Sequence, residues 1–441
     1  MQGNENICRL EKVLIFLFIF NLIFLQRLAI PFGPYQFTPI FLYALFFALA
    51  LYILGRAEIH PQRMVLLLFS IAGVFLASVY ASLYLKDVSI ASLLFLTAFY
   101  IPFLFVSKKK GIFAYIVKIF QGSMLIVAIC GIMQFLIQLI GGPYIDPIQR
   151  LVPEAFRLYG YANQLPIFFG SEIMKSNGLF MLEPSFYSKF IATAIIIEFI
   201  TRKRVFILII FSTALLFCFS GTGLILLGIA AIPLLFRMKP VKIIFLAILL
   251  TIPTYVFFDQ GYGDVFVERL EEFSNPNQSG YIRFVAPWLT FQEFLTLESP
   301  GTILFGNGAG TLPEYQGREY TFDELSGHYK TAHAFSAIKL FVEYGLVGGF
   351  LFFIFLIYIF VNSKQNRLLT FTLFINYSFL TISLQQPQTV YLCFILCIIS
   401  MEKWEDSLAI LKQNKKKRKF QLLLNQRYTF LKPRMTYRRN V

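Results

Sequence analysis

Long apolar runs follow one another along this chain of 441 residues, and short basic connectors separate them. Runs of about 17 to 25 residues can cross the hydrocarbon of a bilayer as helices, which satisfy their backbone hydrogen bonds internally. The composition agrees, because 57% hydrophobic against 14% charged residues lies outside the usual range of soluble domains. We therefore predict an all-α, polytopic helical membrane protein that forms a single membrane domain over 1–441.

The apolar runs predict about twelve transmembrane helices, with one long loop between the ninth and the tenth. The first run has no small-residue cleavage site at its end, so we interpret it as a retained span rather than a signal peptide. The five cysteines show neither a disulfide framework nor metal-ligand spacing, and no metal or cofactor is expected. The predicted spans are 13–30, 37–54, 64–85, 88–106, 112–140, 184–200, 205–220, 222–236, 241–258, 334–361, 368–384 and 389–401.

Basic residues are concentrated in alternate connectors, among them 108–110 and 202–204, and in the C-terminal segment 402–441. Cytoplasmic loops carry an excess of Lys and Arg, so this pattern predicts that both termini are cytoplasmic. The segments 141–182 and 259–333 then form a short and a long extracytoplasmic loop. Because the formal charge of +15 is concentrated on one membrane face, it predicts contact with membrane lipids rather than with nucleic acid.

The two predicted spans within 205–236 are unusually short. Basic clusters on both sides require these 32 residues to go out and return. As helix they extend only about 48 Å, against roughly 60 Å for two full crossings. The turn at 220–223 is therefore predicted to lie below the outer surface. Non-helical backbone at that depth needs protein or water around it, so a recess open to the outside is expected.

The predicted loop 259–333 contains candidates for binding an anionic group. It has eleven acidic and four basic residues, so its overall field does not attract anions and specific arginines are needed. Arg283 lies in an amphipathic segment with Trp288 and is the first candidate, with an interfacial arginine that contacts no substrate as the alternative. Arg269 and Arg318 are further candidates. Pairing with a loop carboxylate is the alternative for Arg269, and pairing or exposure to solvent is the alternative for Arg318.

Two residues are candidates for proton transfer. His333 precedes the tenth span, where a histidine exchanges protons near neutral pH, although a histidine satisfied by loop carbonyls fits as well. Glu183 precedes Pro184 at the start of the sixth span, so it either caps that helix or faces the recess as a base. Glu343 lies deeper, and pairing with Lys339 on the same helix face is favoured over a catalytic role.

Four short motifs follow one another in a fixed order through roughly the second half of the chain. Their order resembles that of the bacterial O-antigen polymerases and the related O-antigen ligases, which are multi-spanning glycosyltransferases of the inner membrane. The motifs are Glu183-Pro184-Ser185, then Ser220-Gly221-Thr222-Gly223, then Arg269 with Ser279-Gly280-Tyr281-Ile282-Arg283, and finally Phe305-Gly306-Asn307-Gly308 leading to His333 and Glu343-Tyr344-Gly345-Leu346-Val347-Gly348.

The resemblance implies a donor glycan on undecaprenyl diphosphate, used outside the bacterial cytoplasmic membrane without nucleotide sugar or metal. It assigns Arg269 and Arg283 to the diphosphate and His333 to the reacting hydroxyl. The ligases usually have Asn after this histidine, whereas Ala334 follows here. Polymerisation of repeat units, for lipopolysaccharide, capsule or exopolysaccharide, is therefore expected ahead of ligation. A chain-length regulator is a further candidate partner, and a flippase or transporter of lipid-linked glycan is the alternative of another class.

Overall fold

The computed structural model describes residues 7–33, 35–84, 88–167, 170–236, 284–312, 334–381 and 383–410, together with 274, 281 and 315. The described residues are mostly helical, which agrees with the predicted all-α class. The predicted ninth span at 241–258 lies outside them, as do most of the predicted long loop and the basic segment beyond 410.

Helices occupy most of the predicted spans within this part of the chain. A 3-10 turn (Ile101–Leu104) extends α4, another (Glu154–Phe156) follows α6, and a π-helical turn (Phe394–Ile398) extends α14. Two short antiparallel pairs join β1 (Ile30–Phe32) to β2 (Tyr35–Phe37), and β3 (Glu58–Ile59) to β4 (Phe105–Val106). The helices are α1 (Arg9–Phe24), α2 (Pro39–Ile53), α3 (Pro61–Tyr84), α4 (Ile90–Tyr100), α5 (Ile112–Leu139), α6 (Pro147–Leu151), α7 (Pro184–Thr201), α8 (Val205–Phe217), α9 (Gly221–Leu235), α10 (Ala286–Leu297), α11 (Pro300–Phe305), α12 (Ser336–Val361), α13 (Arg367–Phe379) and α14 (Pro387–Cys393).

Three of the described helices, α3, α5 and α12, are long and apolar enough to cross a membrane. Other described helices, including α2, α8 and α9, are also apolar but are only 10–17 residues long. Large apolar side chains remain exposed on the outer faces, for example Phe69 at 61% and Phe350 at 53%. Such faces are typical of helices surrounded by lipid tails. The total of about twelve spans stays a prediction.

Connectors between helices meet at two opposite ends of the bundle. One end, which we call the basic end, contains 56–60, 105–111, 362–366 and 398–404. There β3 pairs with β4, the Ser107 N–H donates to the carbonyl of Ile399 at 2.7 Å, and the Trp404 N–H donates to the carbonyl of Lys364 at 3.1 Å. The basic connector 108–110 therefore lies together with the connectors that carry Arg56 and Lys364.

The opposite end, which we call the cap end, contains 25–33, 35–37, 140–167, 170–183, 217–222, 380–381 and 383–386. The Ala29 N–H donates to the carbonyl of Phe156 at 2.9 Å, which joins the end of α1 to the segment after α5. The Ser176 N–H donates to the carbonyl of Phe217 at 3.2 Å, which adds the end of α8. The segment 141–182 is therefore packed onto several helix ends and contains α6.

Helix α7 begins at the cap end and is buried along most of its length, between α5, α8, α9 and α13. It carries polar groups into this interior. Lys189 is 3% exposed, and its Nζ donates to the carbonyl of Leu380 at 3.4 Å and lies 4.4 Å from the ring centre of Phe186. An ionisable group at such a position needs partners, and these contacts stabilise it.

The tenth predicted span is not one continuous helix. Within α12, Gly345 has φ +63° and ψ −172°, which interrupts the helix between Tyr344 and Leu346. The break frees backbone carbonyls, and the loop after α11 satisfies two of them: the Asn307 N–H donates to Val342 at 3.0 Å, and the Gly308 N–H donates to Glu343 at 2.7 Å. The predicted span 334–361 therefore corresponds to α12, and the break within it is an addition that the sequence did not indicate, because glycine permits this conformation without requiring it.

Replacing Gly345 by alanine is expected to lower the free energy of unfolding by at least about 2 kcal/mol. The added Cβ would lie 2.3 Å from the carbonyl oxygen of Leu304 and 2.4 Å from the Gly306 nitrogen, and backbone atoms cannot rotate away. Thermal unfolding of the purified protein in detergent measures the effect. Gly228→Ala is the matched control, because a Cβ there meets nothing within 4 Å. Equal melting temperatures for both variants would contradict the packing of the break.

Candidate functional site

Glu183 is the predicted site residue that the structure describes, and it occupies the N-cap position of α7 ahead of Pro184, as predicted. Its side chain makes no capping hydrogen bond to the helix backbone. Instead, Oε1 accepts from the Ala162 N–H at 3.1 Å and Oε2 accepts from the Ser185 hydroxyl at 3.0 Å. The residue is 7% exposed. Capping therefore does not explain its orientation, although the helix N-terminus still favours its negative charge.

The segment 141–182 is held on α5 by two amide side chains. Gln134 accepts from the Asn177 N–H at 3.1 Å and donates to the Asn177 side-chain oxygen at 3.2 Å. One turn further along α5, Gln138 accepts from the Met174 N–H at 2.8 Å and donates to the Met174 carbonyl at 3.1 Å. Both glutamines are buried. An unpaired buried amide lowers the stability of the folded protein, so these contacts hold the segment in one place.

A buried ion pair joins the same segment to the end of α1. The two Nη atoms of Arg27 donate to the two carboxylate oxygens of Asp146 at 2.7 and 2.8 Å, and both side chains are 4% exposed. Asp146 also accepts from the Gln149 N–H at 2.9 Å and caps α6. The bidentate geometry fixes the direction as well as the distance between the two elements.

A polar cleft of about 360 Å³ lies in this segment, next to Glu183. Leu182 is part of its lining, and Ala162, whose N–H contacts the Glu183 carboxylate, lies between two lining residues. The volume falls within the range of roughly 300 to 1,000 Å³ that small-molecule sites have. Polar groups dominate the lining, which consists of Arg27, Gln149, Glu154, Arg157, Leu158, Tyr159, Gly160, Tyr161, Asn163, Gln164 and Leu182.

Tyr161 connects the cleft with the start of α7. Its ring packs edge-on against Phe186 with centroids 5.8 Å apart. Burial raises the pKa of Tyr161, the hydrogen bond with Gln386 lowers it, and the nearby Glu183 charge raises it. The net direction is upward, so the hydroxyl stays protonated near neutral pH and is available as a donor.

The turn at 220–223 packs against the first turns of α7. The Ser188 hydroxyl lies 3.0 Å from the Thr222 hydroxyl and accepts from the Gly223 N–H at 3.1 Å. A Cβ on Gly223 would lie 2.6 Å from the carbonyl oxygen of Ser188, so glycine is required for this approach. The depth of the turn relative to a membrane surface stays a prediction.

No family model matches this chain, and no curated protein is significantly similar to it. The likeness to the O-antigen polymerases and ligases therefore depends on the four motifs. In the structure the first motif contacts the second, and the two described parts of the fourth contact each other. The Thr222 hydroxyl donates to the carbonyl of Ser185 at 3.3 Å, and the Gly308 N–H donates to the carbonyl of Glu343 at 2.7 Å.

The remaining predicted site residues, Arg269, Arg283, Arg318 and His333, lie outside the described residues. Their assigned roles therefore stay predictions. The predicted pairing of Lys339 with Glu343 is confirmed: Nζ lies 3.6 Å from Oε1 on successive turns of α12.

The cleft residues were missed by the sequence interpretation. Arg27 and Arg157 belong to the few basic residues that fall outside the basic connectors, and that separation was the available signal. Nothing in the sequence connects Arg27 with Asp146, because the two are 119 positions apart. The amides Asn163 and Gln164 are common loop residues, so their type alone predicts no binding site.

Proposed function

We propose that this chain is a membrane glycosyltransferase that polymerises oligosaccharide repeat units carried on undecaprenyl diphosphate. The observation that carries the proposal is the buried Glu183 carboxylate beside a polar cleft at the cap end. This carboxylate makes no capping hydrogen bond to the backbone of α7. A carboxylate held beside a polar cleft suits proton transfer from a bound hydroxyl. The order of the four motifs supports the same reaction class.

The reaction joins an acceptor hydroxyl to the anomeric carbon of the donor glycan. The hydroxyl oxygen forms a bond to that carbon, while the bond between the carbon and the diphosphate oxygen breaks. The electron pair leaves with undecaprenyl diphosphate, and the hydroxyl proton passes to Glu183. His333 is the alternative base in the proposal.

Arg269, Arg283 and Arg318 are the proposed diphosphate ligands. Guanidinium groups bind phosphate oxygens in pairs and stabilise the charge that develops on the leaving group.

The proposed location is the bacterial cytoplasmic membrane, with many spans, both termini in the cytoplasm and the cap end outside. Three long apolar helices and the gathering of basic connectors at one end support this orientation. The exposed apolar helix faces would contact membrane lipids and the polyprenyl tail of the donor. A chain-length regulator remains a candidate partner.

Deletion of the gene in its source strain is expected to leave single repeat units on the cell surface, because assembly and export of the donor continue without polymerisation. Gel analysis of surface glycan measures chain length, and the full-length gene on a plasmid should restore long chains. A ligase would instead leave long glycan on its lipid carrier. A flippase would trap the donor in the inner leaflet. Either of these two results would overturn the proposed polymerase activity.

A further inference from the structure

An ion pair and several hydrogen bonds hold the walls of the cleft in 141–182 in place. The buried Arg27–Asp146 ion pair holds one side, and Gln134 and Gln138 hold the far part of the segment on α5. Gln36 fixes a third point, since its Nε2 donates to the carbonyl of Arg157 at 3.0 Å. A site with a supported backbone is more typical of a binding pocket than of a solvent-filled loop.

Two lining residues carry buried polar atoms without a hydrogen-bond partner among the described residues. They are the side-chain oxygen of Asn163, an acceptor, and the Nε–H of Arg157, a donor. Leaving such atoms unpaired costs free energy, so a native protein that keeps them has a reason to do so. A sugar hydroxyl both donates and accepts, and a glycan presents several of them on one ring.

Each arginine in the lining lies near a carboxylate. Arg27 is paired with Asp146 at 2.7 Å, and an Nη of Arg157 lies 4.0 Å from the Glu154 carboxylate. A diphosphate needs cations that are free to bind it, whereas the uncharged hydroxyl groups of a sugar need none. Only two leucines, Leu158 and Leu182, contribute aliphatic side chains to the lining, so a lipid tail is a poor fit.

We propose that this cleft binds a sugar residue of the acceptor glycan and presents one of its hydroxyls to Glu183. The role as acceptor rests on the proposed polymerase function, whereas sugar binding itself does not. The side chains of Asn163 and Arg157 supply an amide and a guanidinium group to the sugar, and the phenol groups of Tyr159 and Tyr161 supply further hydrogen bonds. The diphosphate of the donor binds elsewhere.

The test uses the full-length protein in lipid nanodiscs. The probe is the repeat-unit oligosaccharide released by mild acid from the lipid-linked intermediate of the source strain and labelled at its reducing end. Fluorescence polarisation measures its affinity. Asn163→Leu and Arg157→Lys are each expected to weaken binding about five- to tenfold, since each removes one hydrogen-bonding group and Lys keeps the positive charge. Glu172→Gln, at an exposed position in the same segment, is the control and should bind like the parent protein.

The outcomes separate this inference from the proposed function. Unchanged affinity in both variants, with melting temperatures like that of the parent, would overturn the cleft as a sugar site even if the gene deletion shortens the glycan. Weakened binding in both variants would support the sugar site even if the deletion leaves chain length unchanged, and the acceptor role would then fall. If inorganic pyrophosphate displaced the labelled oligosaccharide from the parent protein at concentrations similar to those at which the oligosaccharide binds, the cleft would be an anion site. That result would overturn the proposal.

Discussion

Glutamine in place of Glu183 is expected to stop polymer growth while the protein remains folded in the membrane. Glutamine has nearly the same size, and its side-chain oxygen can still accept from the Ala162 N–H. It cannot take a proton from an acceptor hydroxyl. Loss of a general base lowers the rate by about 10²- to 10⁴-fold, which is enough to remove long glycan from the cell surface. Surface glycan length in the complemented deletion strain is the measurement.

The matched control for this prediction is Glu172→Gln, which neutralises an exposed glutamate in the same segment and should leave chain length unchanged. Membrane yield and melting temperature of each variant show whether the fold is preserved. Full-length polymer from the Glu183→Gln variant would remove Glu183 from the reaction and leave His333 as the candidate base. Single repeat units from a variant that melts like the parent would support the proposed role.

The second large effect concerns the Arg27–Asp146 ion pair. Asp146→Ala is expected to lower the free energy of unfolding by about 3–5 kcal/mol, because it leaves a buried guanidinium without its partner. Both side chains are 4% exposed, so water does not replace the lost contact in the folded state. Thermal unfolding in detergent measures the loss. Removing both charges with Arg27→Met and Asp146→Leu should recover much of it.

A surface pair provides the comparison for this prediction. An Nη of Arg157 lies 4.0 Å from Glu154, whose side chain is 81% exposed. Exposed ion pairs contribute about 0–1 kcal/mol, so Glu154→Ala should hardly change the melting temperature. If Asp146→Ala were as mild as Glu154→Ala, the Arg27–Asp146 contact would not be the anchor of the segment 141–182.

Several helices could be predicted from the sequence with bounds close to those observed. The predicted span 112–140 corresponds to α5 (Ile112–Leu139), and 64–85 corresponds to α3 (Pro61–Tyr84). The pairing of Lys339 with Glu343 was likewise predictable, because residues four apart on a helix lie on one face. Glu183 was found because Pro184 in the next position marks a helix start.

Other features depend on contacts between distant segments and left no local signal. The break at Gly345 depends on Asn307 and Gly308, which satisfy the freed carbonyls from another part of the chain. The orientation of the Glu183 side chain depends on the Ala162 N–H, 21 positions away. The sequence predicted only a short loop for the segment 141–182. Its polar composition does not show whether the segment is folded or extended.

By itself, the sequence determined the helical class, the apolar character of the chain and the separation of basic from other connectors. These properties follow from local composition and from the hydrogen bonds that a helix makes within itself. The tertiary structure decided which polar side chains meet, and hence the ion pair, the amide anchors and the cleft beside Glu183. The physical reason is that a buried polar group must find a partner, and that partner is chosen by packing rather than by nearness in the chain.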